Sequence, residues 1–357
     1  EVAPPWKTEI VAGLTTFVTM AYILVVNPAI LATEGTGLES DRVLTATVLV
    51  CFSSTLLMGL YARLPYALAP GMGLNAFFTY TLVLGQGVRA EVALGLVFWS
   101  GVVFLVLSVT PAREAIANAI PASLRSGAAA GIGIFLTFIG LENAGVVVAH
   151  PVTLVTFGEL DHRVVFFAIS LAVAAALLRR KHPLALLASV GIATLLGALT
   201  GDVTLPETPV ATPDFGGVLA IDPLGALSWA LVPALVALVC TDLFDSLSTF
   251  VGVADATGLH DADGKPTRLR EGLIVDALAT MISGLVGSSP GTAYIESASG
   301  IEAGGRSGRT AIVCALCFVP CLFLAPIVGA IPSFATAPVL VLVGATMFGS
   351  LWKKPLE

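Results

Sequence analysis

The segment Ser289-Pro290-Gly291-Thr292-Ala293-Tyr294-Ile295-Glu296-Ser297-Ala298-Ser299-Gly300 decides how the rest of the chain is read. Small and helix-breaking residues open it, and an apolar run from Ala311 to Ile331 follows. The pattern predicts extended backbone passing into a short helix, with one carboxylate, Glu296, held at membrane depth. In hydrocarbon every backbone N–H and C=O needs an internal partner, so a broken span survives only where protein buries it or where it lines a polar cavity. An ionisable side chain there is costly and marks a functional site by default. A second copy of the pattern stands in the first half. Ala69-Pro70-Gly71-Met72-Gly73-Leu74-Asn75-Ala76-Phe77-Phe78 has the same Pro-Gly opening and sets an amide, Asn75, a few positions on. Paired interruptions of this kind are the sequence pointer to a midplane binding site in membrane carriers.

Composition agrees. Of 357 residues 56% are hydrophobic and 11% charged, with a mean hydropathy of +0.95, whereas a soluble domain carries about 25% charged residues. Apolar stretches of roughly 17 to 25 residues, the length that crosses a bilayer, recur throughout. The expectation is an all-α polytopic membrane protein with no separate soluble domain. Its expected partners are the lipid bilayer and a small molecule, with no nucleic acid. Cys51, Cys240, Cys314, Cys317 and Cys321 lie in apolar segments, and Cys314-x-x-Cys317 lacks the companion ligands of a zinc site. They read as packing residues. His150, His162, His182 and His260 fall in loops, so no buried His relay or metal site is expected. No basic region leads into a cleavable apolar core, so no signal peptide is expected.

Twelve spans are predicted. They run from about Glu9 to Ile30, Val43 to Leu60, the interrupted Tyr66 to Leu84, and Val92 to Val109. Then come a span after Pro121 ending near Asn143, Val164 to Leu178 and Leu184 to Leu199. After a polar connection, Thr200 to Asp222, follow Leu224 to Val253, Leu273 to Val286, the second interruption, Ala311 to Ile331 and Ala335 to Leu351. With this count, all of the 17 Lys and Arg except Arg42, Arg89 and Arg163 fall on one side. The positive-inside rule makes that side, and the N-terminus, cytoplasmic. Ile120-Pro121-Ala122-Ser123 also matches Ile331-Pro332-Ser333-Phe334, at the same rank in each half. An odd number of spans per repeat inverts one half against the other. By this register two further spans are expected beyond Lys353-Lys354-Pro355-Leu356-Glu357, and a start at Glu1 without Met reads as trimmed.

The groups able to do chemistry are few. Cys240-Thr241-Asp242-Leu243-Phe244-Asp245-Ser246-Leu247-Ser248-Thr249 puts two carboxylates three apart on one helix. In low dielectric one of a close carboxylate pair can hold a proton at neutral pH. Asp242, Asp245 and Glu296 are therefore the proton-coupling candidates, with Ser246 in support; the bland alternative is that an Asp caps a helix or a broken span. Asn75 can donate and accept, and Phe77 offers a face on which a planar ligand stacks, although one of Phe77 and Phe78 is expected simply to pack. Asp276, Glu142, Asp255 and Glu302 are expected nearer segment ends, satisfied by interfacial water or basic neighbours. Gly304-Gly305-Arg306-Ser307-Gly308 lacks the Lys-Ser/Thr ending of a phosphate loop and reads as a tight turn.

Gly13-Leu14-Thr15-Thr16-Phe17-Val18-Thr19-Met20-Ala21-Tyr22-Ile23, the Pro70-Gly71 segment, Asp242-Leu243-Phe244-Asp245-Ser246 and Tyr294-Ile295-Glu296-Ser297-Ala298-Ser299-Gly300 together resemble the signatures of the AzgA-like hypoxanthine/adenine/guanine permeases. These belong to the wider nucleobase/ascorbate transporter group. The resemblance covers essentially the whole chain. It implies a seven-plus-seven inverted-repeat fold with core-domain pieces at 9–110 and 223–331 and gate-domain pieces at 114–200 and 332–357. It also implies proton-coupled import of purine nucleobases at the cell membrane, without a cofactor other than the proton, and allows a homodimer. The binding roles it implies fall on Asn75, Asp242 and Glu296, with Asp245 a near neighbour; from the residues themselves Phe77 is expected to join the substrate site, with Ser297, Ser246 and Thr16 in support. The absence of two spans is a departure from the pattern. Two rivals are an anion transporter of the same fold, which would need a cation beside the broken spans, and an intramembrane aspartyl protease. The latter needs its two Asp facing each other from separate helices, whereas Asp242 and Asp245 share a turn.

Overall fold

The structure is a computed structural model that describes residues 4–110, 122–204, 206–261 and 264–349. Arg113, the Ile120-Pro121 part of the repeat match, Lys353, Lys354 and the tail from Leu351 onward lie outside the described residues, as does the side chain of Arg125. In chain order the elements are α1 (Trp6–Met20), α2 (Ile23–Leu31), α3 (Ser40–Leu57), β1 (Leu68–Pro70), α4 (Met72–Ala76) and α5 (Ala90–Val109). Next come α6 (Ala122–Asn143), β2 (Val147–His150), β3 (Leu154–Phe157), α7 (His162–Arg179), α8 (Ala185–Thr200), α9 (Val232–Thr257) and α10 (Leu269–Val286). The last are β4 (Gly291–Ala293), α11 (Ser297–Glu302), α12 (Gly308–Phe318), α13 (Ala325–Gly329) and α14 (Ser333–Gly349). α3 and α4 continue into π-helical stretches, Met58–Ala62 and Phe77–Gly85. By length and composition five helices among the described residues can cross a membrane, and five shorter apolar helices stand at further expected positions.

The chain divides into two units, one from Glu1–Ala119 with Thr212–Ala325 and the other from Ile120–Ala211 with Pro326–Glu357. The first unit is built around the two interruptions. β1 and β4 pair antiparallel, with Leu68 opposite Ala293, Ala69 opposite Thr292 and Pro70 opposite Gly291. The two segments therefore run in opposite directions, as an inverted repeat requires. Pairing is what lets extended backbone exist in this apolar interior. Gly71 N donates to Pro290 O at 2.8 Å and Tyr294 N to Ala67 O at 3.0 Å. Side chains take the groups left over: Leu68 N donates to Thr55 Oγ1 at 2.9 Å, and Ala67 N to Ser297 Oγ at 3.0 Å. Thr55 returns its proton to Leu68 O at 3.0 Å, and Tyr294 OH donates to Pro70 O at 2.5 Å. Buried Tyr66, Leu68, Phe104, Leu243, Phe250, Leu273 and Ile301 pack around this ladder.

Helices in this unit meet at small residues, which permit close approach where no water drives association. A Cβ on Gly101 of α5 would lie 2.5 Å from Met281 N of α10. Gly300 of α11 is pressed against Thr16 Oγ1 of α1, and a Cβ there would also lie 2.6 Å from Ala12 O. The turn at Gly304 (φ +107°) that begins the Gly-Gly-Arg-Ser-Gly sequence is held by Glu9, a fully buried residue. Glu9 accepts from Ser307 Oγ at 2.9 Å, from Arg306 N at 3.4 Å and from Thr310 Oγ1.

In the second unit α6 lies along α14, with a Cβ on Gly133 meeting Gly344 O at 2.5 Å, while α7, α8 and α14 pack mutually. Only 22% of the apolar window in α7 is buried, the surface of a helix whose outer solvent is hydrocarbon. Two expectations are corrected. The connection before α7, expected as a loop, holds the antiparallel hairpin β2–β3, with Val147 opposite Phe157. The eighth span becomes α-helical at Val232, not Leu224, after two short 3₁₀ turns. Pro233 explains the start, since a residue without an N–H fits the first turn of a helix.

Candidate functional site

Glu296 sits immediately before α11, at the end of the extended stretch, and stays partly accessible. Its Oε1 accepts a 2.6 Å hydrogen bond from Tyr22 OH. Tyr22 stands at the junction of α1 and α2, where the first span bends, so one backbone break supplies the carboxylate and another the phenol. Asp245 of α9 and Tyr294 are close enough to Glu296 to interact with it electrostatically. No side-chain hydrogen bond reaches the Asp245 carboxylate among the described residues, and Asp245 too is only half-buried. These two open acids form one half of the polar centre.

The other half is closed. Asp242 is fully buried, and its Oδ2 accepts from Thr280 Oγ1 at 2.6 Å. The same hydroxyl reaches Gly291 O, on β4, at 2.9 Å. Asp242 also interacts electrostatically with Asp276 of α10, which accepts from Ser246 Oγ, itself 3.0 Å from Thr292 Oγ1. Residues three apart on a helix differ by about 60° in direction, and this separates the two acids of α9: Asp245 meets Glu296, while Asp242 meets α10. The expectation of Asp276 near a segment end is therefore corrected. α10 begins four residues before the predicted Leu273, which moves Asp276 into the buried interior.

Asn75, on α4, is fully buried and donates from Nδ2 to Asn27 Oδ1 at 3.1 Å. Phe77 is half-buried against the apolar cluster of Leu74, Leu82, Leu96 and Leu238, and Phe78 is wholly buried. Of the supporting residues, Ser246 bonds Asp276, Ser297 closes the β1 ladder, and Thr16 donates to Ala12 O at 3.1 Å while lying against Gly300. Thr16 thus serves the α1–α11 contact. Tyr22, Asn27, Asp276 and Thr280 are the polar partners that sequence reasoning missed. A phenol and an amide inside the apolar run before Pro28 were the available signal. Among the described residues no group of three or more His, Cys, Asp and Glu is placed to hold a metal ion.

The arrangement can therefore grip a small polar molecule between hydroxyl, amide and carboxylate groups, and its acids can exchange protons. The adenine permease AdeP of Escherichia coli strain K12 is 40% identical over 347 residues, 97% of this chain and 78% of its own. The guanine/hypoxanthine permease PbuO of Bacillus subtilis strain 168 is 38% identical over 362 residues, 98% of this chain and 83% of its own. Among solved structures, the transmembrane domain of the cyanobacterium bicarbonate transporter BicA superposes with a TM-score of 0.72 at 17% identity, covering 96% of this chain and 89% of that one. That likeness shows the fold alone, and it is the inverted-repeat transporter fold expected from the paired interruptions. The named relatives are permeases rather than enzymes. The sequence profile described as Permease family, Xan_ur_permease, spans residues 7–353 and so takes in both broken segments and every acid described above; this membrane-embedded chain belongs to that family.

Proposed function

We propose that the protein imports purine nucleobases, among hypoxanthine, guanine and adenine, across the cell membrane by proton symport. The observation that carries this reading is Glu296, a partly accessible carboxylate at the mouth of a broken span, held by Tyr22 and facing Asp245. A carboxylate accepts N–H donors, as a fork-like pair from the N1–H and NH₂ of guanine and singly from the N1–H of hypoxanthine or the NH₂ of adenine. The names of the relatives, an adenine permease and a guanine/hypoxanthine permease, favour the same substrate class. In this reading Glu296 contacts the base, and half-buried Asp245 takes the contact expected of Asp242, which is fully buried; Asn75 reads another polar edge, Phe77 lends an aromatic face, and the Asp242–Asp276 pair with its hydroxyls carries the coupling proton. Alternating access is between a core domain, containing both interruptions, and a gate domain. The N-terminus is cytoplasmic, and a homodimer is compatible with the scheme. The bonded groups of the centre are carboxylates, amides and hydroxyls, so a small anion would meet no cation among these partners, which disfavours the anion-carrier alternative.

The test is uptake of labelled hypoxanthine, guanine and adenine by cells producing the protein. Uptake is expected to collapse with Glu296→Gln and with a protonophore. Undiminished uptake by Glu296→Gln overturns the assignment of the site, and insensitivity to the protonophore overturns the coupling.

A further inference from the structure

Asn27 and Asn75 are both fully buried, and their hydrogen bonds fix more than their positions. Asn27 uses every bond its amide can make. Its Nδ2 donates to Thr47 Oγ1 at 2.8 Å and to Ser288 Oγ at 3.2 Å, and its Oδ1 accepts from Asn75 Nδ2 at 3.1 Å and from Ser289 Oγ at 3.5 Å. Which way round this amide lies is decided by Thr47. The Thr47 hydroxyl has one proton and spends it on Val43 O at 2.6 Å, so toward Asn27 it can only accept. Asn27 must then turn its NH₂ to Thr47 and its carbonyl oxygen to Asn75. Asn75 in turn must present its NH₂ to Asn27. What remains free is Asn75 Oδ1, a buried acceptor with no partner among the described residues.

A buried carbonyl oxygen without a donor is an unfinished hydrogen bond. One turn along, Thr79 Oγ1 is likewise buried without a partner, at the start of the π-helical stretch Phe77–Gly85. Such π distortions are frequent at functional sites. We propose that Asn27 is a positioning residue that locks the amide of Asn75 with its carbonyl oxygen free, so that the site selects a nucleobase edge offering an N–H donor to that oxygen. This inference rests on the reading of Asn75 as a base-contacting residue. Thr47 is the origin of the polarity, Asn27 transmits it and Asn75 applies it. A free amide can rotate to offer either its oxygen or its NH₂, and reads both polarities. A locked amide discriminates between them.

Hypoxanthine and adenine make the probe, because the donor and acceptor at their six-membered-ring edge are exchanged: N1–H and O6 in one, bare N1 and NH₂ in the other. The measurement is competition by each base against uptake of labelled substrate, in wild type and in Thr47→Val, Asn27→Leu and Asn75→Ala. The wild-type ratio of inhibition constants is expected to depart from one by tenfold or more. It is expected to contract toward one in Thr47→Val and Asn27→Leu. Thermal midpoints of the purified variants identify any that fail to fold, and Thr47→Val, which removes one hydroxyl, serves where Asn27→Leu does not fold. Equal constants in wild type, an unchanged ratio in a transporting variant, or a parallel weakening of both bases overturns the lock. If Asn75→Ala leaves the competition profile of wild type intact, the underlying assignment of Asn75 to the base site has failed instead.

Discussion

The hydroxyl of Tyr22 and the carboxylate of Glu296 lie 274 positions apart in sequence and 2.6 Å apart in space. Removing the phenolic hydroxyl deletes a bond to an ionisable acceptor, an interaction worth about 1.5–3 kcal/mol when the acceptor is charged. Tyr22→Phe is therefore expected to lower the thermal midpoint and, by releasing the carboxylate that the phenol holds, to raise the KM for labelled hypoxanthine by up to about tenfold, since about 1.4 kcal/mol is a factor of ten. An unaltered KM would mean that Tyr22 only packs. The two acids of α9 separate by the same logic. Asp245 has no side-chain hydrogen bond to lose, so Asp245→Asn is expected to impair uptake while leaving thermal stability near wild type. Asp242→Ala removes the nearer of the two acceptors of Thr280, the other being Gly291 O, and empties space in a closed interior whose polar groups must resettle, at about 1–3 kcal/mol. It is expected to lower the midpoint as well as uptake, and equal midpoints for the two variants would refute the division into an open and a closed acid cluster. The places of Glu296 and Asn75 beside the interruptions could be read from sequence because each follows a Pro-Gly break. Their partners could not, because nothing in a linear run of apolar residues says that Tyr22 or Asn27 faces an interruption on a distant segment.

The breaks themselves announce their position through Pro70 and Pro290, which lack the N–H a helix interior needs, and through Gly71 and Gly291, which are poor helix formers. What the pattern could not convey is how the extended backbone is satisfied. The answer is mutual: β1 pairs β4, and Thr55 of α3 and Ser297 of α11 take the remaining groups. Thr55→Val is close to isosteric and strips both bonds from Leu68, leaving a buried N–H and C=O short of partners. A loss of about 1–3 kcal/mol per orphaned group is expected, seen as a lower midpoint in detergent. A midpoint equal to wild type would show that the ladder stands without its side-chain supports. The same account explains the misplacement of Asp276: boundaries set by hydropathy exclude the polar first turn of α10, Leu269 to Gly272, so the acid reads as marginal when it is central. At the ends of α7 and α8 the chemistry is of another kind. Asp202 accepts from Arg163 at 2.8 Å and lies 2.6 Å from His162 Nε2, and these bonds, led by that from Arg163, lower its pKa from 3.8 to about 2. A carboxyl depressed in the folded state favours folding above its unfolded pKa, and that contribution is lost as pH falls through the folded value. The contribution of Asp202 is thus present above about pH 4 and disappears toward about pH 2. Asp202→Asn is expected to flatten that part of the pH–stability curve, and an unchanged slope between wild type and variant would refute it.

Orientation in the bilayer belongs to the chain as an assembly of spans, and it is where charge outweighs every local signal. If the connections alternate sides as the apolar helices and broken segments require, the connection between α9 and α10, with Lys265 and Arg268 and with Arg270 in the adjoining first turn of α10, falls on the side rich in Lys and Arg. The connection between α8 and α9, with no Lys or Arg, falls on the other. Because basic residues near span ends are retained on the cytoplasmic side, the first connection is expected inside the cell and the second outside. Single cysteines test this directly at exposed His260, whose ring is hydrogen-bonded to exposed Asp255, and at the exposed turn residue Gly201. Native Cys51, Cys314 and Cys321 are buried, while Cys240 and Cys317 lie within apolar helices, so a charged maleimide that does not cross membranes should find a low background. Gly201→Cys is expected to react in intact cells, and His260→Cys only after permeabilisation. The reverse pattern would invert the orientation. Labelling of both positions in intact cells would place an odd number of crossings wrongly between them and break the inverted relation on which pairing of the two interruptions depends.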